Sequence, residues 1–246
     1  MNIKDYQIVA LGVMIALVSV FSSYVFSKGI VQFQKMQSQT IKVTGSASQQ
    51  VTSDSASWFI DFSAIRPSLK EGYQKINDDT KKIKKFFVAK GIDEKDIEFS
   101  QIYSYKVYKK AANGYSDTDV LKGYNVSRNL TVKSKDINKL TEISKDVSEL
   151  VNQDIDLTTE NVQYYVSNLD DIKVNVIADA SKNAKERAKS LVKGTDGKIG
   201  VMTSAKVGVF QIVPVDSTDV SDYGINDTSS KEKKVIATVN ATFTVK

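Results

Sequence analysis

Residues 168–194 read NLDDIKVNVIADASKNAKERAKSLVKG, and the period of this stretch decides what kind of domain the chain builds. Leu169, Ile172, Val176, Ala180, Ala184, Ala188 and Leu191 recur every three or four positions, which is the spacing of one face of an α-helix. Asn168 stands at the N-cap, Asp170 and Asp171 fall in the first turn, and Lys189 and Lys193 in the last, so both ends complement the helix dipole. Gly194 supplies the stop. The stripe is small in its middle, and the helix is therefore expected to lie close against a sheet or a second helix.

Outward from this helix the period changes from helical to alternating. Val162, Tyr164 and Val166 predict a strand before it; Val207, Val209, Val213 and Val215 predict one after it. Beyond a polar loop, Val235, Ala237, Val239, Ala241, Phe243 and Val245 alternate cleanly as the last strand. Toward the N-terminus, Ile41, Val43 and Gly45, then Ala56, Trp58, Ile60, Phe62 and Ala64, predict two adjoining strands, each with one buried face. Pro67 ends the second, and Ser68 with Glu71 forms a capping box for a helix carrying Leu69, Tyr73, Ile76, Ile83 and Phe87 on its inner side. Its outer side holds Lys81, Lys82, Lys84 and Lys85, and Gly91 ends it in a left-handed conformation.

Segments 97–108 and 124–132 alternate on either side of Asn113-Gly114, which reads as a hairpin with a long tip. Behind Asp136, the residues Ile137, Leu140, Ile143, Val147 and Leu150 predict one further helix. The order ββα ββα βα ββ describes an α+β domain over residues 40–246. Its sheets are mostly antiparallel with three helices packed on them, not a doubly wound parallel sheet.

Ahead of that domain, Ile8 to Phe26 is a run of nineteen residues without a charge. As a helix it is about 28 Å long, close to the hydrocarbon thickness of a bilayer. Residues 1–28 are expected to form an uncleaved signal anchor, one N-terminal transmembrane helix. A cleaved signal peptide, with Lys4 before the run and Ser22 or Ser23 near a cut, is the alternative. Residues 29–39, with Gln32, Gln34, Gln37, Ser38 and Gln39, read as a linker or a continuation of the helix. Lys4 and Asp5 on one side and Lys28 and Lys35 on the other leave the positive-inside comparison undecided. The short N-terminal tail makes a C-terminal domain outside the cytoplasm the simpler arrangement.

Cysteine and histidine are both absent, which removes thiolate nucleophiles, disulfides, Cys or His zinc sites and Ser-His-acid triads together. A net charge of +5 comes partly from lysines spread over helix faces. Tyr103, Tyr105, Lys106, Tyr108, Lys109 and Lys110 form a basic, aromatic run. Tyr105, Tyr108, Lys109 and Lys110 are the candidate contact residues for a partner protein or a membrane surface, and no nucleic acid is expected.

Gly194, Gly197 and Gly200 mimic a phosphate loop, but they lie where a helix ends and a strand begins, the reverse of what an anion site needs. Asp216, Asp219, Asp222 and Asp227 make an acidic loop without calcium-loop spacing. Asp54, Asp61 and Glu98 are the carboxylates from which a hydrolytic pair would have to come. No cofactor, metal or catalytic residue is expected, and the chain is not expected to be an enzyme.

Laid out in this way, the chain resembles the SIMPL-domain family, exported bacterial proteins often labelled as oxidative-stress defence or periplasmic immunogenic proteins. The resemblance covers about residues 40–246. It rests on Val43-Thr44-Gly45 followed by Asp54 and Ala56, and on Gly123-Tyr124-Asn125-Val126 opening a central strand. The alanine-spaced helix from Ala178 to Leu191 and Gly197 to Gly200 before the next strand complete it. It implies an α+β fold, an exported or membrane-tethered location and ring-like homo-oligomers with a channel-like shape, and it carries no agreed catalytic residues. The expectation is a non-enzymatic, single-pass membrane protein of the cell envelope that homo-oligomerises as a ring or scaffold, linked to stress defence. The alternative is an accessory module that works through the 103–124 hairpin.

Overall fold

The computed structural model describes residues 3–111 and 117–246, with side-chain detail for 11–33, 39–111 and 118–246. Asn113, Gly114 and Ser116 of the expected hairpin tip lie outside the described residues, as do the side chains of Lys4, Asp5, Lys35 and Asp117. The fold is α+β and rich in antiparallel sheet, as the alternation demands.

The first element, α1 (Ile3–Ser38), is one continuous helix, so residues 29–38 extend it and do not form an irregular linker. Within it the 23 residues Leu11–Phe33 have a mean hydropathy of 1.7, and none is buried by the rest of the protein. Ser19 Oγ donates to the carbonyls of Ile15 and Ala16, and Ser23 Oγ to that of Ser19. The hydroxyls are thus satisfied inside the helix, as an apolar solvent requires. The helix is long and apolar enough to cross a membrane, as a single-pass anchor or a signal sequence.

The chain divides into two compact units, one of residues 1–48, 174–210 and 236–246, the other of 49–173 and 211–235. In the first unit, β1 (Thr40–Thr52) and β8 (Ile199–Val207) flank β11 (Glu232–Val245), with β8 antiparallel to it through Val239↔Val207 and Ala241↔Ala205. The long helix α5 (Leu169–Lys193) lays Ala180, Ala184 and Ala188 against Val43, Val239, Ala241 and Phe243. A Cβ placed on Gly45 of β1 would stand 2.2 Å from the Ala180 carbonyl oxygen and 2.4 Å from the Ala184 nitrogen. The small middle of the stripe thus allows the close approach, and only glycine fits opposite it.

One expectation at the end of this helix is corrected. Leu191 is 60% exposed, and Val192 is buried in its place. The buried set advances by four residues at each step, which turns the stripe by about 40° per step and carries it past position 191. The helix ends at Lys193, directly before Gly194. In the turn that follows, Asp196 takes the left-handed conformation, with φ 54°, which the short polar side chain of aspartate tolerates.

The second unit is built on a six-stranded sheet. Its central pair is β2 (Ser55–Arg66) and β5 (Asp117–Ser134), in register from Ala56↔Ser134 to Arg66↔Tyr124. On β5 lie β3 (Ile97–Phe99) and β4 (Tyr103–Lys110); on β2 lie β6 (Asp156–Thr159) and β7 (Gln163–Tyr165). Alternation in β2 is strict: Ala56, Trp58, Ile60, Phe62 and Ala64 are buried, while Ser57, Phe59, Asp61 and Ser63 are only half-buried. The buried face packs on α2 (Leu69–Ala89), α3 (Ile137–Lys145) and α4 (Ser148–Val151) through Ile76, Ile83, Phe86, Phe87, Leu140, Ile143 and Leu150. Trp58 meets Phe87 edge-on at 5.9 Å and donates its Nε1–H to the Glu160 carbonyl at 2.9 Å, so its single polar atom is satisfied. The pair β9 (Gln211–Pro214) and β10 (Ile225–Asn226) runs parallel.

Ser68 caps α2 by accepting from the Glu71 amide, and Gly91 leaves it with φ 80°, as the sequence suggests. Leu69 and Tyr73, expected inside, are 42% and 38% exposed. Gly72 faces the sheet in their place, because a Cβ there would stand 2.4 Å from Val126 Cγ2. The expected single helix over 137–150 breaks at Asp146. There Lys90 Nζ holds Asp146 Oδ2 at 2.7 Å and Glu149 Oε1 at 2.9 Å and fixes the corner between α3 and α4. Segment 97–108 divides where Ser100 bonds Asn129 through both its amide and its hydroxyl. Segment 207–215 divides at Gly208, whose amide donates to the Thr238 carbonyl.

Gly45→Ala is expected to lower the free energy of unfolding by about 3 kcal/mol, because neither the carbonyl nor the amide it meets can move without breaking α5. Gly194→Ala, with nothing within 4 Å of an added Cβ, is expected to change it by less than about 0.5 kcal/mol. Urea denaturation of the two variants followed by circular dichroism compares them.

Candidate functional site

The basic, aromatic run forms β4, and its register with β5 shows why it stands free. Tyr103↔Ser127 to Lys106↔Tyr124 lie where β5 also pairs with β2. Beyond Val107↔Gly123 the register slips, with Tyr108 opposite Leu121 and Lys110 opposite Asp117, and β5 there has β4 as its sole strand partner among the described residues. The extra residue, Lys122, is a bulge that ends regular pairing. The result is a two-stranded arm.

Its side chains are exposed on both sides: Tyr105 is 61% exposed, Val120 54% and Tyr103 50%. Alternation places Tyr105 on one face, opposite Asn125, and Tyr108 on the other, opposite Leu121. The candidate contact residues Tyr105, Tyr108, Lys109 and Lys110 therefore share one strand and are all exposed, but they divide between its two faces. Lys106, Lys109 and Lys122 meet no carboxylate within ion-pair distance among the described residues.

The three carboxylates considered for hydrolysis are engaged by different neighbours. Asp54 Oδ1 accepts from both the amide and the hydroxyl of Ser167, at 2.9 and 2.8 Å. Slight burial pushes this carboxyl up, but the bonds from Ser167, together with those from the Asp54 amide and the Ser55 hydroxyl, outweigh it and hold it below its ordinary value. Glu98 is paired with Lys133 at 2.9 Å. Asp61 lies beside Asp156, because Ser63↔Asp156 and Asp61↔Thr158 register β6 on β2. Burial, and after it the charge of Asp156, hold Asp61 above the usual carboxylate value.

In the acidic loop, Asp219 accepts from the Ser217 hydroxyl, and Asp227 accepts from the amide and hydroxyl of Ser229. Among the described residues no group of three or more carboxylates is placed to hold a metal ion. Gly197 to Gly200 lead from α5 into β8, where the amide of Lys198 donates to the carbonyl of Lys246, so the glycine spacing serves a turn.

Two buried charged side chains, Asp79 and Lys233, escaped the sequence reading. Lys233 is 2% exposed and donates its ammonium to the carbonyls of Tyr164 at 2.6 Å and Asp227 at 2.5 Å. Burial holds it below the ordinary lysine range, against the pull of Asp227. The signal was available, since Lys233 has the parity of Val235, Ala237 and Val239, the buried set of β11. Its two carbonyl acceptors make it a clamp that ties the 227–230 turn to β7.

A family model for SIMPL, described as a protein of unknown function, matches residues 41–243. The chain belongs to the SIMPL family. A comparison with curated proteins returned no match. Within the SIMPL domain, Val43-Thr44-Gly45 is the part of β1 that meets α5, and Gly123 is where β5 passes 2.5 Å from the Arg66 carbonyl oxygen, measured from an added Cβ. Both segments of the resemblance are therefore packing positions.

A carboxyl whose pKa is raised by folding contributes stability that is complete in acid and is lost as the pH rises through the raised value. Asp61→Asn removes that loss. The variant is expected to melt above the parent at pH 7, and the two melting temperatures are expected to converge as the pH falls below the ordinary carboxylate range.

Proposed function

We propose that this SIMPL-domain protein is a non-enzymatic protein of the cell envelope, anchored by α1, with its domain outside the cytoplasm, self-associating as a ring or scaffold. The observation that carries the reading is α1 itself: a stretch of 23 residues, Leu11–Phe33, with a mean hydropathy of 1.7 and none covered by protein, joined to β1 through Gln39 alone. Left in water, such a surface forfeits about 25 cal/mol for each square ångström, and lipid is the solvent that removes the cost.

A non-enzymatic role is supported by the lack of cysteine and histidine in the sequence and by the separate engagement of Asp54, Asp61 and Glu98. Self-association and a link to stress defence rest on the family resemblance. The exposed β4–β5 arm favours a second reading, in which the domain is an accessory module that touches another surface through Tyr105, Tyr108, Lys109 and Lys110.

Light scattering coupled to size exclusion, on the full chain in detergent, is expected to give a protein mass that is a multiple of 27.2 kDa. A monomer at all concentrations overturns the ring. In cells, external protease is expected to digest the domain and to leave α1 in the membrane; digestion only after lysis overturns the orientation.

A further inference from the structure

We propose that the β4–β5 arm lies on the acidic phospholipid headgroups of the same bilayer that holds α1. The proposal rests on α1 being an anchor and on the arm being a contact surface, and it names what the arm contacts. Between Tyr103 and Tyr124 the chain has four lysines, Lys106, Lys109, Lys110 and Lys122, against Asp117 and Asp119. Lys106, Lys109 and Lys122 have no carboxylate within ion-pair distance among the described residues. An excess of unneutralised ammonium groups on an exposed ribbon complements anionic headgroups.

The aromatic residues decide between lipid and protein. Protein interfaces enrich tyrosine but deplete lysine, because a lysine buried between proteins loses both hydration and rotamer freedom. A bilayer surface takes both: tyrosine places its ring at the acyl boundary with the hydroxyl in the headgroups, and lysine extends its charge to phosphate along an apolar stem. Tyr103, Tyr105 and Tyr108 are exposed in alternation with Ser104, Lys106 and Lys109, so each face of the arm offers rings beside charge or hydroxyl.

β4 is also an edge, since β5 is its only strand partner among the described residues. Its outward N–H groups add donors for phosphate oxygens, a use of an edge that spares it from pairing with another chain. The lipid is always close. Helix α1 ends at Ser38 and β1 begins at Thr40, so the domain cannot diffuse away from the headgroup layer, and a weak contact gains the high effective concentration of a tethered one.

The test uses the full chain in nanodiscs of phosphatidylcholine alone and of equal parts phosphatidylcholine and phosphatidylglycerol, with amine acetylation rates read by mass spectrometry. Lys106, Lys109 and Lys122 are expected to react several-fold more slowly in the acidic discs, with Lys85 and Lys133 unchanged and the protection lost in molar salt. Replacing Tyr105 and Tyr108 together by serine is expected to remove most of that protection while the far-ultraviolet dichroism stays as in the parent.

Equal rates in the two kinds of disc overturn the proposal while the anchor stands. Protection that is the same in neutral discs, or that grows with the number of chains per disc, overturns it in favour of a protein contact. If alkaline washing strips the chain from the discs, the anchor reading fails and the proposal with it.

Discussion

The backbone of β1 and the alanine ridge of α5 approach until position 45 has room for a hydrogen atom and nothing larger. This contact sets the character of the unit it belongs to. A helix that comes so near a sheet buries little apolar surface per residue, and Ala180, Ala184, Ala188 and Ala241 bring few methylene groups to the core. Cohesion comes instead from many short dispersion contacts, which weaken steeply with separation. Polar groups brace the same seam: the Ser46 amide donates to Asn183 Oδ1, and Arg187 to the Thr44 carbonyl.

The other unit solves the same problem with bulk. Trp58, Phe62, Phe86 and Phe87 fill the space between β2 and the helices; Phe87 meets Trp58 and Phe86 edge to face at 5.9 and 5.2 Å, and Phe62 meets Phe99 of β3 in the same way at 6.4 Å. Burying Phe62 or Phe87 is worth about 2 kcal/mol each in apolar transfer. Its charged residues sit at the periphery or are clamped, as Lys233 is by two carbonyls and Asp79 by Lys75 at 2.8 Å.

Much of this was legible in the sequence because the strands have one wet and one dry face. In β2 and β11 the alternation named every buried residue from Ala56 to Ala64 and from Val235 to Phe243. The errors occur where spacing alone is ambiguous by one position. On α5 the buried position is 192 and not 191, since a run of four-residue steps moves the stripe around the helix. On α2 the residue turned to the sheet is Gly72, which has no hydrophobic signature, while Leu69 and Tyr73 have one and face outward. Asp156 was invisible as a neighbour of Asp61 because Asp156–Thr159 is a short polar strand whose place is set by pairing with β2. For the arm, Tyr and Lys alternate without an apolar side, so exposure was readable, but the division of Tyr105 and Tyr108 between opposite faces depends on strand geometry and register.

Trp58 is the only tryptophan in the chain, and it is fully enclosed against Phe87 with its indole N–H bound to the Glu160 carbonyl. Its ultraviolet emission is therefore a spectroscopic label for one half of the domain that nature has already installed. Collapse of the aromatic core will shift that emission to the red, whereas loosening of the alanine seam or movement of the membrane helix will leave it dark to the observer. A fluorescence melt and a dichroism melt of this protein thus watch different parts of the same molecule, and any gap between them measures how independently those parts come undone.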